Sequence, residues 1–378
     1  MYLLDAELLA QNIEKRIESD LAEGNLCGVS VLVKQYGKRV YKKHFGNISP
    51  KSDTPVSDQT LFRLASMTKP ITAVATMILV DRGLLSLDDA VEKYVPSFSS
   101  PFILNEEGER VCVSEKITIK HILTHSSGIG SGPLWNKSCA SLTKDDASTI
   151  ERFVNFISRQ PLSFVPGTKS EYSGVAAFSL LTHIIEKVSG KDMERFLKDE
   201  IFIPCEMDNT TFSPSTEQWE KLIVMHNKEN GVSTIGKTGE GCVFSIFPTT
   251  NPLGGAGLIS SLADYENFAD MLANRGVFKG KRIISEESFE KMTTPQIPPH
   301  IKPGKERWGL GVRVIVSDEY ARLPISAFGW SGAYGTHFWV DPVNQVVGIY
   351  MKNSFYDGGS GAKTAAMFEK DVSASFRK

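Results

Sequence analysis

Segments that favour β-strands lie near the two ends of this chain, and the region between them favours helices. Two β-rich runs surround the turn-forming residues 35–38, the pattern of a hairpin, and further strand signals follow late in the sequence. Residues from about 97 to 250 instead favour helices and loops. We therefore predict an α/β (α+β) fold in which one antiparallel sheet, flanked by helices, is built from both chain ends. The strand-like runs are residues 27–34, 39–45, 308–316, 333–340 and 346–352.

The length of the chain bounds the number of domains. With 378 residues, of which 41% are hydrophobic, the chain can bury a large core. This length suits one large two-lobed domain or two domains. In the two-lobed arrangement, residues 1–62 and 251–378 would form a sheet lobe, and residues 63–250 an inserted, mostly helical lobe.

Charge and hydropathy argue against several classes of protein. The net charge of -2 shows no basic excess for nucleic acid, and no apolar run approaches the ~20 residues of a membrane helix. The N-terminus lacks the basic and apolar regions of a signal peptide. The five cysteines are dispersed and include no Cys-x-x-Cys pair, which favours reduced thiols. We therefore expect a cytoplasmic protein without nucleic-acid or membrane partners.

The strongest chemical motif is a serine followed three residues later by a lysine, Ser66 and Lys69. Apolar residues recur at helical spacing from Ile71 onward, so the pair lies in the first part of a helix. Positions i and i+3 share a helix face, which brings the Lys69 amine within reach of the Ser66 hydroxyl. If burial lowers the pKa of the lysine, its neutral amine can take the serine proton, and the serine can attack an acyl carbon.

Two further segments are candidates for the same site. Tyr172 stands between a loop and a predicted helix, where its phenol could reach a pocket and share proton transfer with Lys69. The alternative is a tyrosine whose ring packs into the core and whose hydroxyl has no chemical role. Residues 328–336 contain three glycines before a predicted strand, so a substrate carbonyl could approach a backbone N–H there. A tight turn without a binding role would have the same composition.

Taken in order, the three segments resemble the motifs of the serine β-lactamase and penicillin-binding protein superfamily. The motifs are Ser66-x-x-Lys69, then Tyr172 about a hundred residues later, then a glycine-bearing triplet near the C-terminus. Residues 122–128, Ile-Leu-Thr-His-Ser-Ser-Gly, resemble the family's Leu-Leu-Thr-His-Thr-Ser-Gly, and residues 254–264 resemble its glycine-rich turn and following helix. The likeness extends over roughly residues 10–370 and is to the class C-like branch, which implies a single catalytic domain over residues 10–370.

The resemblance implies a nucleophile, its activators and an oxyanion hole. Ser66 would attack the substrate after activation by Lys69 and Tyr172, and water or another acceptor would release the acyl-enzyme. The backbone N–H groups of Ser66 and Ala333 would form the oxyanion hole. The substrate would be a small acyl compound, and neither a metal nor a cofactor is required. The oligomeric state stays open.

Departures from the family's motifs bear on the substrate. The usual Asn of the second motif is replaced by Gly174, and the usual Lys or His of the third motif is replaced by Trp330 in the substrate-binding triplet Trp330, Ser331 and Gly332. An indole provides an apolar surface and one donor, without charge. The triplet resembles that of the family's carboxylesterases (family VIII type). Neutral esters are therefore the expected substrates, and β-lactams or D-amino-acid peptides are the alternative.

A different class of protein is suggested by residues 231–238, which match the nucleotide-binding pattern Gly-x-x-x-x-Gly-Lys-Thr. That loop requires a helix beginning at Lys237 and Thr238, whereas the glycines, proline and β-favouring residues that follow oppose one. A nucleotide-binding protein is thus the weaker hypothesis. Residues 237–239 also spell the family's usual third motif, but they precede the glycine-rich segment, so their position favours Trp330 instead.

Two other interpretations concern histidines and loss of catalysis. His121 and His125 have the spacing of two metal ligands on a helix, but no third ligand is evident, so packing roles are expected. A binding protein without catalytic activity could keep the same scaffold. The presence together of Ser66, Lys69 and Tyr172 argues against that interpretation.

Overall fold

The computed structural model describes residues 2–236, 251–359 and 361–377. Within these ranges, helices form the first and the last element. The strands are β1 (Gly28–Gln35), β2 (Lys38–Gly46), β3 (Leu61–Arg63), β4 (Phe102–Leu104), β5 (Arg110–Cys112), β6 (His226–Glu229), β7 (Val232–Ile235), β8 (Ile259–Ser261), β9 (Val277–Phe278), β10 (Lys281–Arg282), β11 (Glu306–Trp308), β12 (Arg313–Ile315), β13 (Phe328–Ser331), β14 (His337–Asp341) and β15 (Val346–Met351). The α-helices are α1 (Ala6–Ala22), α2 (Thr68–Asp81), α3 (Ile119–Leu123), α4 (Gly132–Cys139), α5 (Ile150–Ser158), α6 (Ala176–Ser189), α7 (Met193–Leu197), α8 (Thr216–Glu220), α9 (Leu262–Ala273), α10 (Glu286–Thr293) and α11 (Lys363–Ser373).

The largest sheet is antiparallel and joins the two ends of the chain. Its seven strands lie in the order β11-β12-β13-β14-β15-β1-β2. The first strand of the chain therefore pairs with the last, with Ser30 opposite Met351 and Gln35 opposite Val346. This arrangement confirms the predicted antiparallel sheet built from both chain ends.

The predicted hairpin joins β1 and β2 through a two-residue turn. Tyr36 and Gly37 both have positive φ angles, 51° and 72°, as a type I′ turn requires. This turn matches the right-handed twist of the flanking strands, so the sequence signal and the local geometry agree.

The late strands begin and end at different residues from those predicted. The predicted strand 308–316 is two strands, because Gly309 and Gly311 lie in a reversal between β11 and β12. A Cβ at Gly309 would lie 1.9 Å from the Met292 carbonyl oxygen, so only glycine fits there. The predicted strand 333–340 begins only at His337, because the preceding residues form a turn closed by a 2.9 Å bond from Gly335 N–H to the Gly332 carbonyl.

Both faces of the sheet are covered, and the alternation of side chains along β1 separates two cores. Val29, Val31 and Val33 belong to a cluster with apolar residues of α1 and α11. Leu32 points to the opposite face and belongs to the cluster that includes α2 and α9. Helices therefore flank the sheet on both sides, as predicted.

Helix α2 lies at the centre of the larger core. Every residue from Thr68 to Leu79 is buried, and the helix packs against α6. A helix that is buried on all sides belongs to the core of a large domain. The packing around α2 therefore fixes the position of the residues at its start. None of the helices in the described part of the chain has both the length and the hydropathy of a membrane span.

Most elements that the structure describes between residues 63 and 236 are helices, together with the short hairpins β4–β5 and β6–β7. The large sheet, α1 and the helices α9 to α11 come from outside that range. We propose that these two groups of elements are two lobes of one domain.

Candidate active site

Ser66 lies in a single 3₁₀ turn, Ala65–Met67, between strand β3 and helix α2. The residue before it, Ala65, has a φ of 45°, in the left-handed region that an alanine adopts at a cost of ~1–2 kcal/mol. Strained backbone of this kind persists only where the surroundings hold it, and it is found preferentially at functional sites. The serine is thus presented by a turn that the rest of the fold must stabilise.

Side chains from the C-terminal part of the chain hold this turn. The amide of Asn353 accepts a hydrogen bond from Arg63 N–H at 2.8 Å and donates one to Arg63 C=O at 3.0 Å. The Thr336 hydroxyl donates to the Leu64 carbonyl at 2.9 Å. Both contacts fix the backbone just before Ser66 to the large sheet.

The Lys69 amine contacts two backbone carbonyls and lies near the hydroxyls of Ser66 and Tyr172. Its Nζ donates to the carbonyls of Gly174 at 2.6 Å and Gly255 at 2.8 Å, and it lies 3.4 Å from Ser66 Oγ. A neutral amine has two N–H groups and one lone pair, so the two carbonyls can occupy both N–H groups. In that form the lone pair would be left for the hydroxyls of Ser66 and Tyr172.

Burial favours this neutral form. Lys69 is completely buried, and desolvation lowers its pKa, although the neighbouring phenol of Tyr172 opposes the shift. Among residues 2–236, 251–359 and 361–377, no carboxylate forms an ion pair with Lys69. Burial therefore favours the neutral amine that a lysine base needs.

Tyr172 and Trp330 are brought to the same place. The Lys69 Nζ lies 4.9 Å from the centre of the Tyr172 ring, and Trp330 Nε1 donates a 3.3 Å hydrogen bond to the Tyr172 hydroxyl. The centres of the Tyr172 and Trp330 rings are 5.3 Å apart. Four predicted residues, Ser66, Lys69, Tyr172 and Trp330, therefore form one cluster.

The glycine-rich segment that begins at Gly254 passes close to Lys69. A Cβ at Gly254 would lie 2.2 Å from Thr182 Oγ1, so no larger residue fits without displacing α6. The Gly254 carbonyl accepts a 2.7 Å bond from the Thr72 hydroxyl on α2. The absence of a side chain here lets the next carbonyl, that of Gly255, reach the lysine.

The two predicted oxyanion-hole donors lie in turns that touch each other. Ser66 N–H is at the start of a 3₁₀ turn, a position without an intrahelical acceptor. Ala333 lies in the turn after β13, and across the described ranges its N–H has no protein acceptor. A Cβ at Gly332 would lie 2.2 Å from the Leu64 carbonyl, so the two turns are in direct contact.

Ser331 is oriented differently from its neighbours in the triplet. Successive side chains of a strand point to opposite faces, and Trp330 faces Tyr172. The Ser331 hydroxyl instead lies 2.8 Å from Nδ1 of His337 on β14, where both residues are buried. The side chain of Ser331 is therefore engaged behind the strand, and contact with a substrate would have to come from its backbone.

Two aromatic residues at the site were not singled out for it from the sequence. Trp308 lies 4.6 Å from Trp330 and 6.1 Å from Tyr172, measured between ring centres. His125 lies 4.6 Å from Tyr172 and 4.4 Å from Trp308. The signal available for His125 was its place in the family-like segment 122–128, whereas Trp308 had only the β-favouring character of its neighbours.

The remaining sequence candidates lie elsewhere. His121 forms a capping box with Thr118 at the start of α3. Within the described part of the chain, no group of three or more His, Cys, Asp or Glu side chains is placed to hold a metal ion. Lys237 and Thr238, on which the nucleotide-binding pattern and the second copy of the third motif depend, lie outside the described residues.

Comparison with known proteins gives consistent matches. A family model described as Beta-lactamase matches residues 13–369. Esterase EstB of Burkholderia gladioli is 26% identical over an alignment of 391 positions, which covers 97% of this chain and 96% of EstB.

Solved structures give similar results. A penicillin-binding protein homologue from Pyrococcus abyssi, described as octameric, superposes with a TM-score of 0.71 and 26% identity, over 94% of this chain and 75% of that one. EstCE1, described as a hydrolase with promiscuous acyltransferase activity, superposes with a TM-score of 0.81 and 21% identity, over 97% and 99% of the two chains. The chain therefore belongs to the beta-lactamase family and is a serine hydrolase of the fold shared by β-lactamases and penicillin-binding proteins.

Proposed function

We propose that the chain is a carboxylesterase of the class C-like branch, with Ser66 as its nucleophile. One observation carries the proposal. The buried Lys69 amine has two carbonyl acceptors at hydrogen-bond distance, and it lies 3.4 Å from Ser66 Oγ and also beside the Tyr172 hydroxyl. This geometry suits a base that removes one proton from one hydroxyl.

Acylation follows from this arrangement. The lone pair of Lys69 takes the Ser66 proton while Ser66 Oγ bonds to the ester carbonyl carbon, and the carbonyl oxygen becomes an oxyanion. When this intermediate collapses, the bond to the alcohol oxygen breaks. The proton then passes from Lys69, with the Tyr172 phenol as intermediary, to the departing alkoxide. An acyl group on Ser66 and a free alcohol result.

Deacylation uses the same groups in the opposite sense. A water molecule loses a proton to Lys69, again with Tyr172, and its oxygen attacks the acyl carbon. The bond to Ser66 Oγ breaks and the proton returns to that oxygen, which releases a carboxylic acid. Another alcohol in place of water would give acyl transfer, and EstCE1 is described as having a promiscuous activity of this kind.

The N–H groups of Ser66 and Ala333 would stabilise the oxyanion in both steps. Direct contact between their two turns, at Gly332 and Leu64, keeps the donors at a fixed separation. Loss of one such donor typically raises the barrier by ~2.7–4 kcal/mol. Preorganised backbone donors are effective because they need no rearrangement as charge develops.

The surroundings of the cluster favour neutral esters. The third motif contributes an uncharged indole, Trp330, and the rings of Trp308 and Tyr172 lie beside it. Aromatic rings bind an acyl chain through apolar contact, and the triplet provides no cation for a substrate carboxylate. The name of EstB, an esterase that matches nearly the whole chain, supports the same choice. We propose a small acyl ester as the substrate.

The test compares three substrates with one enzyme preparation. Steady-state rates on p-nitrophenyl butyrate, a chromogenic cephalosporin and a D-alanyl-D-alanine peptide would rank ester, β-lactam and peptide. We expect the ester to be turned over fastest. Faster turnover of the cephalosporin or the peptide would overturn the choice of substrate, but not the nucleophile.

The nucleophile is tested with Ser66→Ala and a matched serine variant. We expect Ser66→Ala to lower ester turnover by about 10,000-fold or more and to abolish labelling by a fluorophosphonate. Ser179→Ala removes a buried hydroxyl on α6 that has no partner among the described residues, so it should leave the rate unchanged. Labelling of Ser66→Ala at the wild-type rate would exclude Ser66.

A further inference from the structure

His125 makes backbone and side-chain contacts on both sides of Tyr172. Its carbonyl accepts a 2.9 Å bond from Glu171 N–H, and its ring Nδ1 lies 3.2 Å from Ser173 N, which donates to it. Residues 171 and 173 are the immediate neighbours of Tyr172. One histidine therefore fixes the backbone before and after the phenol.

The imidazole also packs against the tyrosine ring itself. The ring centres of His125 and Tyr172 are 4.6 Å apart, and Trp308 lies 4.4 Å away on another side of the histidine. His125 is 1% exposed, so its ring has little freedom to move. Its position therefore determines where the tyrosine ring can lie.

The hydrogen bond from Ser173 determines the tautomer. Because the backbone N–H donates, Nδ1 must carry a lone pair, whereas a protonated imidazole would present a donor at both nitrogens. Burial, with a smaller contribution from the nearby Lys302 cation, lowers the pKa of His125 well below its usual value. The ring is thus neutral, with its proton on Nε2.

We propose that His125, as the neutral tautomer protonated on Nε2, is a positioning residue that holds Tyr172 in place for proton transfer. The inference depends on the proposed function, in which Tyr172 works with Lys69. It assigns the histidine of the segment 122–128 a role through the tyrosine, not through contact with the substrate.

The backbone conformation of His125 determines which substitutions can test the proposal. Its φ is 53°, which asparagine and glycine tolerate better than most residues. Asparagine also has a side-chain oxygen that can replace Nδ1 as acceptor. Glycine keeps the backbone conformation but loses the acceptor and the ring, and phenylalanine keeps a ring but loses the acceptor.

The expected result is a separation of kcat from KM. His125→Gly and His125→Phe should lower kcat by ~100-fold while KM changes less, because the Tyr172 hydroxyl shifts relative to Lys69 while Trp330 still provides apolar surface. His125→Asn should restore most of the lost kcat. Equal loss in the asparagine and phenylalanine variants would overturn the proposal, since the acceptor would then not matter.

A double-mutant cycle tests whether the histidine acts through the tyrosine. In a Tyr172→Phe background, His125→Phe should cause little further loss of kcat, because the group it positions is already missing. An undiminished ~100-fold loss in that background would overturn the proposal. His183→Ala, which alters another buried histidine on α6, should leave kcat unchanged in both backgrounds.

The outcomes also separate this inference from the proposed function. Thermal unfolding is measured for every variant, and if His125→Gly does not fold, His125→Phe and His125→Asn carry the same comparison. Wild-type protein that a fluorophosphonate does not label at Ser66 would refute the proposed function. Wild-type protein that is labelled, with additive effects in the cycle, would refute only the role of His125.

Discussion

The indole Nε1 of Trp330 donates a 3.3 Å hydrogen bond to the hydroxyl oxygen of Tyr172. The third motif, which usually supplies a cation in this family, therefore contacts the phenol through an uncharged donor. A neutral donor contacts the hydroxyl without placing a positive charge beside Lys69. The change of residue type thus alters the environment of the tyrosine.

Replacement of Trp330 by phenylalanine tests this hydrogen bond. The variant keeps an aromatic ring beside Tyr172 but removes the donor, so we expect kcat to fall by roughly tenfold, the equivalent of about 1.4 kcal/mol. KM for a neutral ester should change less, because the apolar surface is retained. Steady-state kinetics on p-nitrophenyl butyrate would measure both.

Trp339→Phe is the matched control. Trp339 is also a buried strand tryptophan, but its Nε1 has no partner among the described residues and it packs toward α11. This variant should keep full activity. Equal losses in the two variants would show that the effect of Trp330→Phe comes from altered packing.

Ala65→Gly should stabilise the protein and reduce its activity. Glycine adopts a φ of 45° without steric cost, so the free energy of unfolding should rise by ~1 kcal/mol. The more mobile turn should lower kcat, because Ser66 is held less firmly. Urea unfolding and ester kinetics on the same sample would check both effects.

Ala321 provides a control at a distance from the site. Its φ is 62°, so Ala321→Gly should relieve similar strain in an exposed turn, without any loss of kcat. If Ala65→Gly kept its full activity, the strained turn would not be needed to position the serine.

The buried lysine predicts a pH dependence of the rate. Because the reactive form of Lys69 is neutral and burial lowers its pKa, kcat/KM should rise with pH and reach its plateau below 10.5, the ordinary value for lysine. Stability should rise with pH between the lowered native pKa and 10.5, because in that range the unfolded chain binds a proton that the native chain does not. An inflection at the ordinary value would contradict the assignment of Lys69 as base.

Lys69→Arg keeps a long side chain at this position but removes the neutral amine. Arginine stays protonated at every working pH, so we expect ester turnover to fall by about 100- to 10,000-fold. Lys34→Arg alters another buried lysine, one that pairs with Glu266 of α9 at 3.1 Å. That variant should remain active.

Glu369 should make the protein sensitive to acid. Burial alone would raise its pKa, but His337, Arg313 and Arg322 hold the pKa well below its usual range. The stabilisation is therefore present above the ordinary pKa of 4.5 and is lost as pH falls below it toward the native value. Urea unfolding at pH 7, 5 and 4 would measure this slope.

Glu369→Gln should remove that slope and lower stability at pH 7 by ~1–3 kcal/mol, since the buried Arg313 loses its 2.6 Å ionic partner and keeps Glu306 at 3.5 Å. Glu290→Gln breaks an exposed pair with Arg275 and should have little effect. A pH slope that survives in Glu369→Gln would assign acid sensitivity to other groups.

Local patterns predicted the elements that depend on neighbouring residues. The hairpin at Tyr36 and Gly37 and the helix after Ser66 follow from turn chemistry and apolar periodicity, both of which act over a few residues. The spacing of Ser66 and Lys69 on one helix face predicted their proximity, which the 3.4 Å distance reproduces. These features could be read from the sequence because one element contains all their determinants.

Contacts between distant residues could not be predicted in this way. The Asn353 amide holds Arg63 across 290 residues of sequence, and periodicity carries no information about such a pair. Trp308 joins the site because β11 and β13 lie in one sheet, a fact of strand order. The face on which Ser331 lies depends on the register of β13 with β14, which a triplet motif does not specify.

The pairing of β1 with β15 also constrains how the protein can be synthesised. The β1–β2 hairpin leaves the ribosome long before β15 is translated. The edge of β1 that pairs with β15 is therefore unpaired during most of elongation. An open edge of unpaired N–H and C=O groups can recruit strands from other nascent chains. A stop codon shortly before β15 should therefore yield aggregated product instead of a smaller working enzyme.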